Sequence, residues 1–137
     1  MSKLRHVLVV EDDADGRMLL TALLTQMGYS VTSADGGDEG LRLLCSEGAC
    51  DAVVADVMMP GMSGIEFARL TRKVRPEIPV ALVTGRPDGI DFAVAAGAIP
   101  LLKPFTPEQL EALWADWESR NPQPKRARSS PPPYKPN

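Results

Sequence analysis

The chain has 137 residues, the size of one ordinary domain with little room for a second. Hydrophobic residues make up 44% and charged residues 24%, enough for a soluble core without disulfides or a structural metal. The net charge of −3 conceals an asymmetry, because residues 1–119 hold 10 Lys/Arg against 18 Asp/Glu (−8) while residues 120–137 hold 5 Lys/Arg and no acid (+5). An acidic body is a poor match for the phosphate backbone of nucleic acid. Apolar runs are a handful of residues long, against the roughly 20 that span a bilayer, so no membrane span is expected. Val7–Val10 is too short for a signal-peptide core, and the expected location is cytoplasmic. Cys45 and Cys50 have no second pair at zinc spacing and read as reduced thiols.

Along the chain the hydrophobic period alternates between strand and helix. Short β-rich runs fall at Val7–Val10, Tyr29–Ser33, Ala52–Ala55, Val80–Val83 and Ile99–Leu102. Helical patterns separate and follow them at Ala14–Met27, Asp38–Glu47, Ile65–Val74, Ile90–Ala96 and Pro107–Glu118. Gly28 is placed to end the first helix as its C′ residue. Thr106, Pro107 and Gln109 form a capping box at the start of the last helix, whose Leu110, Leu113, Trp114 and Trp117 recur on one face. Both tryptophans read as packing residues. From Asn121 the sequence is rich in proline and basic residues with almost nothing apolar, which marks 121–137 as a disordered tail after a domain at 1–120.

Five βα units in series imply an α/β fold, a doubly wound parallel sheet with helices on both faces. Ligands of such sheets bind beyond the carboxyl ends of the strands. That edge is where the chemically distinctive residues fall: Glu11, Asp12 and Asp13 after the first run, Asp56 after the third, Thr84 after the fourth, and Lys103-Pro104 after the fifth. Glu11, Asp12 and Asp56 would form a cluster of carboxylates. Two such charges about 4 Å apart repel by roughly 4 kcal/mol at an effective dielectric near 20. Relief comes from a hard divalent cation, and sparse all-oxygen ligands favour Mg²⁺ over Ca²⁺. With Lys103 as a fixed positive charge and Thr84 as a hydroxyl donor, Asp56 is a candidate nucleophile toward a phosphoryl group. Gly85 leaves the entry uncrowded.

Val9-Val-Glu-Asp-Asp13, Asp56-Val-Met-Met-Pro-Gly-Met-Ser-Gly64, Val83-Thr-Gly85 and Lys103-Pro-Phe105, in this order and spacing, resemble the receiver domain of two-component response regulators over residues 5–118. The resemblance implies a flavodoxin-like (βα)5 sandwich with strand order 2-1-3-4-5. It implies that Asp56 accepts phosphate from a phosphohistidine, so the partner is a sensor histidine kinase or a histidine phosphotransfer protein. It further implies Mg²⁺ held by Asp12, Asp56 and the backbone carbonyl of Met58, with Glu11 acting indirectly. Thr84 and Lys103 take the switch-hydroxyl and phosphate-sensing roles, the Lys103–Pro104 peptide bond is cis, and a weak dimer is conceivable. The only catalysis expected is phosphoryl transfer onto, and slow hydrolysis from, the chain's own Asp56.

Two features depart from that pattern. Pro100 stands where receivers usually carry the aromatic ring that reports phosphorylation; lacking an N–H, it is expected at the start of its strand, facing away from a ladder bond. No DNA-binding or other output domain is expected in this chain. The alternatives are therefore a stand-alone regulator, a phosphate sink or relay carrier, and the detached receiver of a hybrid sensor kinase. A phosphatase of the haloacid-dehalogenase type would need a second Asp two residues after the nucleophile, where this chain has Met58, and a phosphate-independent docking domain is suggested by Pro100 alone. Gly36-Gly-Asp-Glu-Gly40 looks like a diguanylate cyclase signature but reads as a turn leading into the second helix.

Overall fold

The structure is a computed structural model in which residues 6–46 and 50–121 are described. Five strands, β1 (His6–Val10), β2 (Ser30–Ala34), β3 (Ala52–Asp56), β4 (Val80–Thr84) and β5 (Ile99–Leu102), form one sheet in the order β2-β1-β3-β4-β5. Every pairing is parallel. The helices α1 (Ala14–Gln26), α2 (Gly37–Leu44), α3 (Gly64–Val74), α4 (Gly89–Ala95) and α5 (Pro107–Arg120) follow the strands in turn. This is the flavodoxin-like order expected from the resemblance. No helix among the described residues is long and apolar enough to cross a membrane.

The strand period of two divides the core into two layers. Val7 and Val9 of β1, Val54 of β3, and Ala81 and Val83 of β4 pack with Leu24 of α1 and with Leu110 and Trp114 of α5. Leu8, Val10, Val53, Ala55 and Leu82 point the other way, against Leu41 and Leu44 of α2, Phe67 and Ala68 of α3 and Ala93 of α4. The central strands are buried on both faces, which is why they read as unbroken apolar runs. Tyr29 meets Trp114 edge to face, with ring centroids 5.5 Å apart, and its hydroxyl donates to Glu111 Oε1. Trp117 is only half-buried.

Local chemistry sets the ends of the helices. Asp13 caps α1 by accepting from the Gly16 N–H at 2.8 Å, and Gly28, at φ 98°, follows the C-cap Met27 in the left-handed region. The Thr106/Gln109 capping box opens α5 with Pro107 at its start. The second helix begins at Gly37 after its N-cap Gly36, so the Gly-Gly-Asp-Glu-Gly run is a turn and a helix start. It ends at Leu44 rather than running on to Glu47, which lies outside the described residues. Arg75, buried, donates from Nη1 to the Leu44 carbonyl and pairs through Nε with Glu77 at 2.7 Å, so the carbonyl end of α2 is satisfied at this point. Pro100 is the second residue of β5 rather than its first, paired in register with Leu82. It is tolerated there because β5 is an edge strand with a neighbour on one side only. Cys45 is half-buried and Cys50 buried, both free thiols. The expected tail falls almost wholly outside the described residues.

Gly64 places α3. A Cβ on it would overlap the Asp56 carbonyl oxygen and lie 2.8 Å from the Val57 Cα, both rigid backbone. Its N–H donates to the Val57 carbonyl at 2.9 Å, closing the loop between β3 and α3. Gly64→Ala should therefore displace the start of α3 and lower unfolding free energy by about 2 kcal/mol or more, read by chemical denaturation. A loss below about 0.5 kcal/mol, the ordinary range for surface changes, would mean the contact is relieved without cost.

Candidate functional site

The carboxyl ends of β1, β3, β4 and β5 lie side by side in the sheet, and backbone bonds carry the ladder past them. The Val57 N–H donates to the Val83 carbonyl at 3.0 Å and the Lys103 N–H to the Thr84 carbonyl at 2.8 Å. These bonds hold Asp56, Thr84 and Lys103 to adjacent strand ends. The Lys103–Pro104 peptide bond is cis, as the resemblance implies.

Asp56 is the centre of the arrangement. Its Oδ1 accepts from the Met58 N–H at 2.8 Å and its Oδ2 pairs with Lys103 Nζ at 3.3 Å. The Asp56 side chain is 14% exposed and that of Lys103 48%, so a largely covered carboxylate meets an ammonium that is half in solvent. Glu11 is more deeply placed, at 4% exposure. Its Oε2 accepts from the Asp13 N–H at 3.2 Å, and its backbone carbonyl accepts from Arg17 Nη1 at 2.8 Å. Burial, and then the neighbouring Asp56 carboxylate, push the Glu11 pKa up to about 7, with Asp12 adding to the rise. Asp56 and Asp12 both act on the Glu11 carboxyl. Asp12 is exposed. No group of three or more His, Cys, Asp and Glu among the described residues forms a ready-made metal cage.

Thr84 is buried, and its hydroxyl is engaged within its own loop, accepting from the Arg86 N–H at 3.0 Å and donating to the Arg86 carbonyl at 3.2 Å. A Cβ on Gly85 would meet nothing within 4 Å, so the open entry beside Thr84 is a real feature of the surface. Sequence reasoning missed Arg17, Gly64 and Gly89. Arg17 holds the Glu11 carbonyl, while Gly64 and Gly89 bring helix starts against Asp56 and Thr84. A signal was present for Gly64, which opens a helix whose interior is otherwise rich in helix-forming residues.

The raised Glu11 pKa has a sign that can be measured. A carboxyl whose folded pKa lies above its unfolded value favours folding while protonated, and the advantage disappears as pH rises through the folded pKa. Without divalent cations the melting temperature should therefore fall as pH is raised from about 4.5 to about 7 and level off above that, as Glu11 ionises beside Asp56. Glu11→Gln should flatten that decline; an identical slope in the variant would assign it to another group.

The sequence profile of the response regulator receiver domain matches residues 7–115. Response regulator MprA of Mycolicibacterium vanbaalenii is 43% identical over 111 residues, covering 78% of this chain and 47% of that protein. The transcriptional regulatory protein YrkP of Bacillus subtilis is 39% identical over 110 residues, 78% of this chain and 46% of that one. The chain thus spans about half the length of the curated relatives it matches. Among solved structures, response regulator TrrA of Thermotoga maritima, in complex with Mg²⁺-BeF, aligns with TM-score 0.73 and 30% identity over 82% of this chain and 98% of that one. A receiver domain from Clostridium thermocellum aligns with TM-score 0.76, again at 30% identity, over 85% and 96% of the two chains. The chain belongs to the response regulator receiver domain family of two-component signalling.

Proposed function

We propose that Asp56 is the phosphoacceptor of this receiver and takes its phosphoryl group from a phosphohistidine on a sensor histidine kinase or a histidine phosphotransfer protein. The observation that carries the reading is the Asp56 carboxylate, pinned at one oxygen by the Met58 N–H and at the other by Lys103, beside the buried Glu11. In the transfer an Asp56 oxygen bonds to phosphorus while the P–N bond breaks and its electron pair returns to the donor imidazole. Alignment and neutralised phosphoryl oxygens are most of what such a step requires. Lys103 is placed to move from the Asp56 carboxylate to a phosphoryl oxygen, and Gly85 leaves the approach open. Exposed Met58, two residues beyond Asp56, supplies apolar surface for a protein donor.

The donor chemistry fits Mg²⁺. A buried Glu11 whose charging is opposed by burial and by the Asp56 and Asp12 carboxylates beside it is the kind of site a hard cation relieves. Asp12, Asp56 and the Met58 carbonyl would hold it, with Glu11 acting indirectly, and the ion would supply positive charge to the phosphoryl oxygens. A reading as a carrier or phosphate sink is favoured by Pro100, which leaves no ring on β5 to report Thr84, since handing phosphate onward needs an accessible Asp56 more than a switched surface. The phosphatase reading lacks its acid/base, because the residue two beyond Asp56 is Met58.

Acetyl phosphate with Mg²⁺ should add about 80 Da in a labile acyl linkage, and Asp56→Asn should abolish the adduct. Full labelling of the variant at another carboxylate would overturn the assignment. Millimolar Mg²⁺ should raise the melting temperature of the wild type and do little for Asp12→Ala. Equal effects in both would remove Asp12 from the ligands.

A further inference from the structure

Between the end of α1 and the first turns of α5 lies a shallow groove of about 460 Å³, open to solvent and lined by Met27, Pro107, Glu108 and Glu111. Its lining has two chemistries. Met27 and Pro107 are half-buried and apolar, while Glu108 and Glu111 are exposed and, three residues apart on one helix, share a face. Neither glutamate is ion-paired among the described residues. Glu111 Oε1 accepts from the Tyr29 hydroxyl, and Tyr29 stands edge-on to the buried Trp114, so the acidic rim is tied to the core.

We propose that this groove is the docking site of the chain's own residues 122–137, held chiefly by Lys125, Arg126 and Arg128. Charge selects that occupant. Residues 122–137, which lie outside the described residues, carry Lys125, Arg126, Arg128 and Lys135 and no acid. The helix they follow is acidic: α5 has Glu108, Glu111, Asp116 and Glu118 against Arg120, which is already paired with Asp116. Reach allows it as well. At about 1.5 Å per residue along α5, Glu111 and Glu108 lie about 15 and about 20 Å back from Asn121. An extended proline-rich segment advances about 3.1 Å per residue, so a tail turned back along the helix carries Lys125 as far as about 12 Å, Arg126 about 16 Å and Arg128 about 22 Å. The basic run thus spans both acids, with Ala127 and the arginine stems over Met27 and Pro107. Exposed ion pairs are each worth little, and the short tether compensates by keeping the local concentration of the tail high. The chain so covers, with its own cations, an acidic face that any other basic segment must win from it. Nothing in this depends on Asp56.

The full chain supplies the test. A carbodiimide joins a lysine amine to a carboxylate in contact with it, forming an amide with net loss of water. In about 0.01 M salt Lys125 should link to Glu111 or Glu108 within one chain, and the yield should fall by about fivefold or more in about 1 M salt, where the screening length shrinks from about 30 Å to about 3 Å. Two sets of substitutions read the contact from both sides by NMR. Lys125→Gln, Arg126→Gln and Arg128→Gln together should shift the Met27 methyl resonance. Glu108→Gln with Glu111→Gln should shift the amides of residues 125–128, and glutamine keeps an acceptor for the Tyr29 hydroxyl. Both shifts should vanish in about 1 M salt. Lys125 linked indiscriminately to acids on other faces, or a Met27 methyl and tail amides indifferent to each other's substitutions, would overturn the assignment. Links found only in covalent dimers, with shifts that weaken on dilution, would give the groove to the tail of a second copy and overturn it too.

Discussion

Burial of the Glu11 carboxyl beside that of Asp56 is the constraint around which this molecule is arranged. A glutamate at 4% exposure beside a second carboxylate is held there against its own electrostatics, and its pKa, raised to about 7, records that cost. The fold absorbs it with rigid backbone. Five parallel strands, two helical layers and the glycine at the start of α3 keep the strand ends where they are. Arg17 on the Glu11 carbonyl and Lys103 on Asp56 supply the only positive charges bonded directly to the pair among the described residues. Neither neutralises both acids. What remains is an anionic site with Asp12 exposed, suited to a cation and a phosphoryl group together.

The two positive groups differ in how they are held, and that difference has consequences. Arg17 bonds a backbone carbonyl, a contact that does not change with the charge of the site. Lys103 bonds a carboxylate at 3.3 Å with nearly half of its side chain in solvent, so its ion pair contributes little to stability and can be exchanged. A strong, fully buried Lys103–Asp56 pair would suit a structural role better than a transfer site, because breaking it would cost several kcal/mol. Thr84 shows the same property in neutral form, since both of its hydrogen bonds are local and exchangeable. The groups expected to meet a phosphoryl oxygen are thus those with the weakest prior commitments.

Much of this was legible in the sequence because local chemistry carries it. The all-apolar strands declared their double burial, Asp13 and the Thr106/Gln109 pair declared helix starts, and the strand-end positions of Glu11, Asp56, Thr84 and Lys103 followed from the parallel order. Tertiary contacts were not legible. The second helix stops at Leu44, whose carbonyl accepts from Arg75, 31 residues on. Pro100 sits inside β5 because the strand is at an edge, a property of sheet order rather than of the local pattern. Gly64 and Gly89 read as poor helix formers until Asp56 and Thr84 are seen against them. The depth of Glu11, and so its pKa, likewise depends on neighbours that no sequence window contains.

The most direct measurement of the central claim is chemical trapping of the acylated residue. Borohydride reduces an aspartyl phosphate to homoserine, and the fragment 43–69 produced by cleavage after Arg42 and Arg69 contains only two aspartates, Asp51 and Asp56. After incubation with a phosphohistidine donor and Mg²⁺, fragmentation of that peptide should show homoserine at position 56 and unmodified aspartate at 51. Homoserine at Asp12, Asp13 or Asp51 instead, with Asp56 intact, would contradict the account.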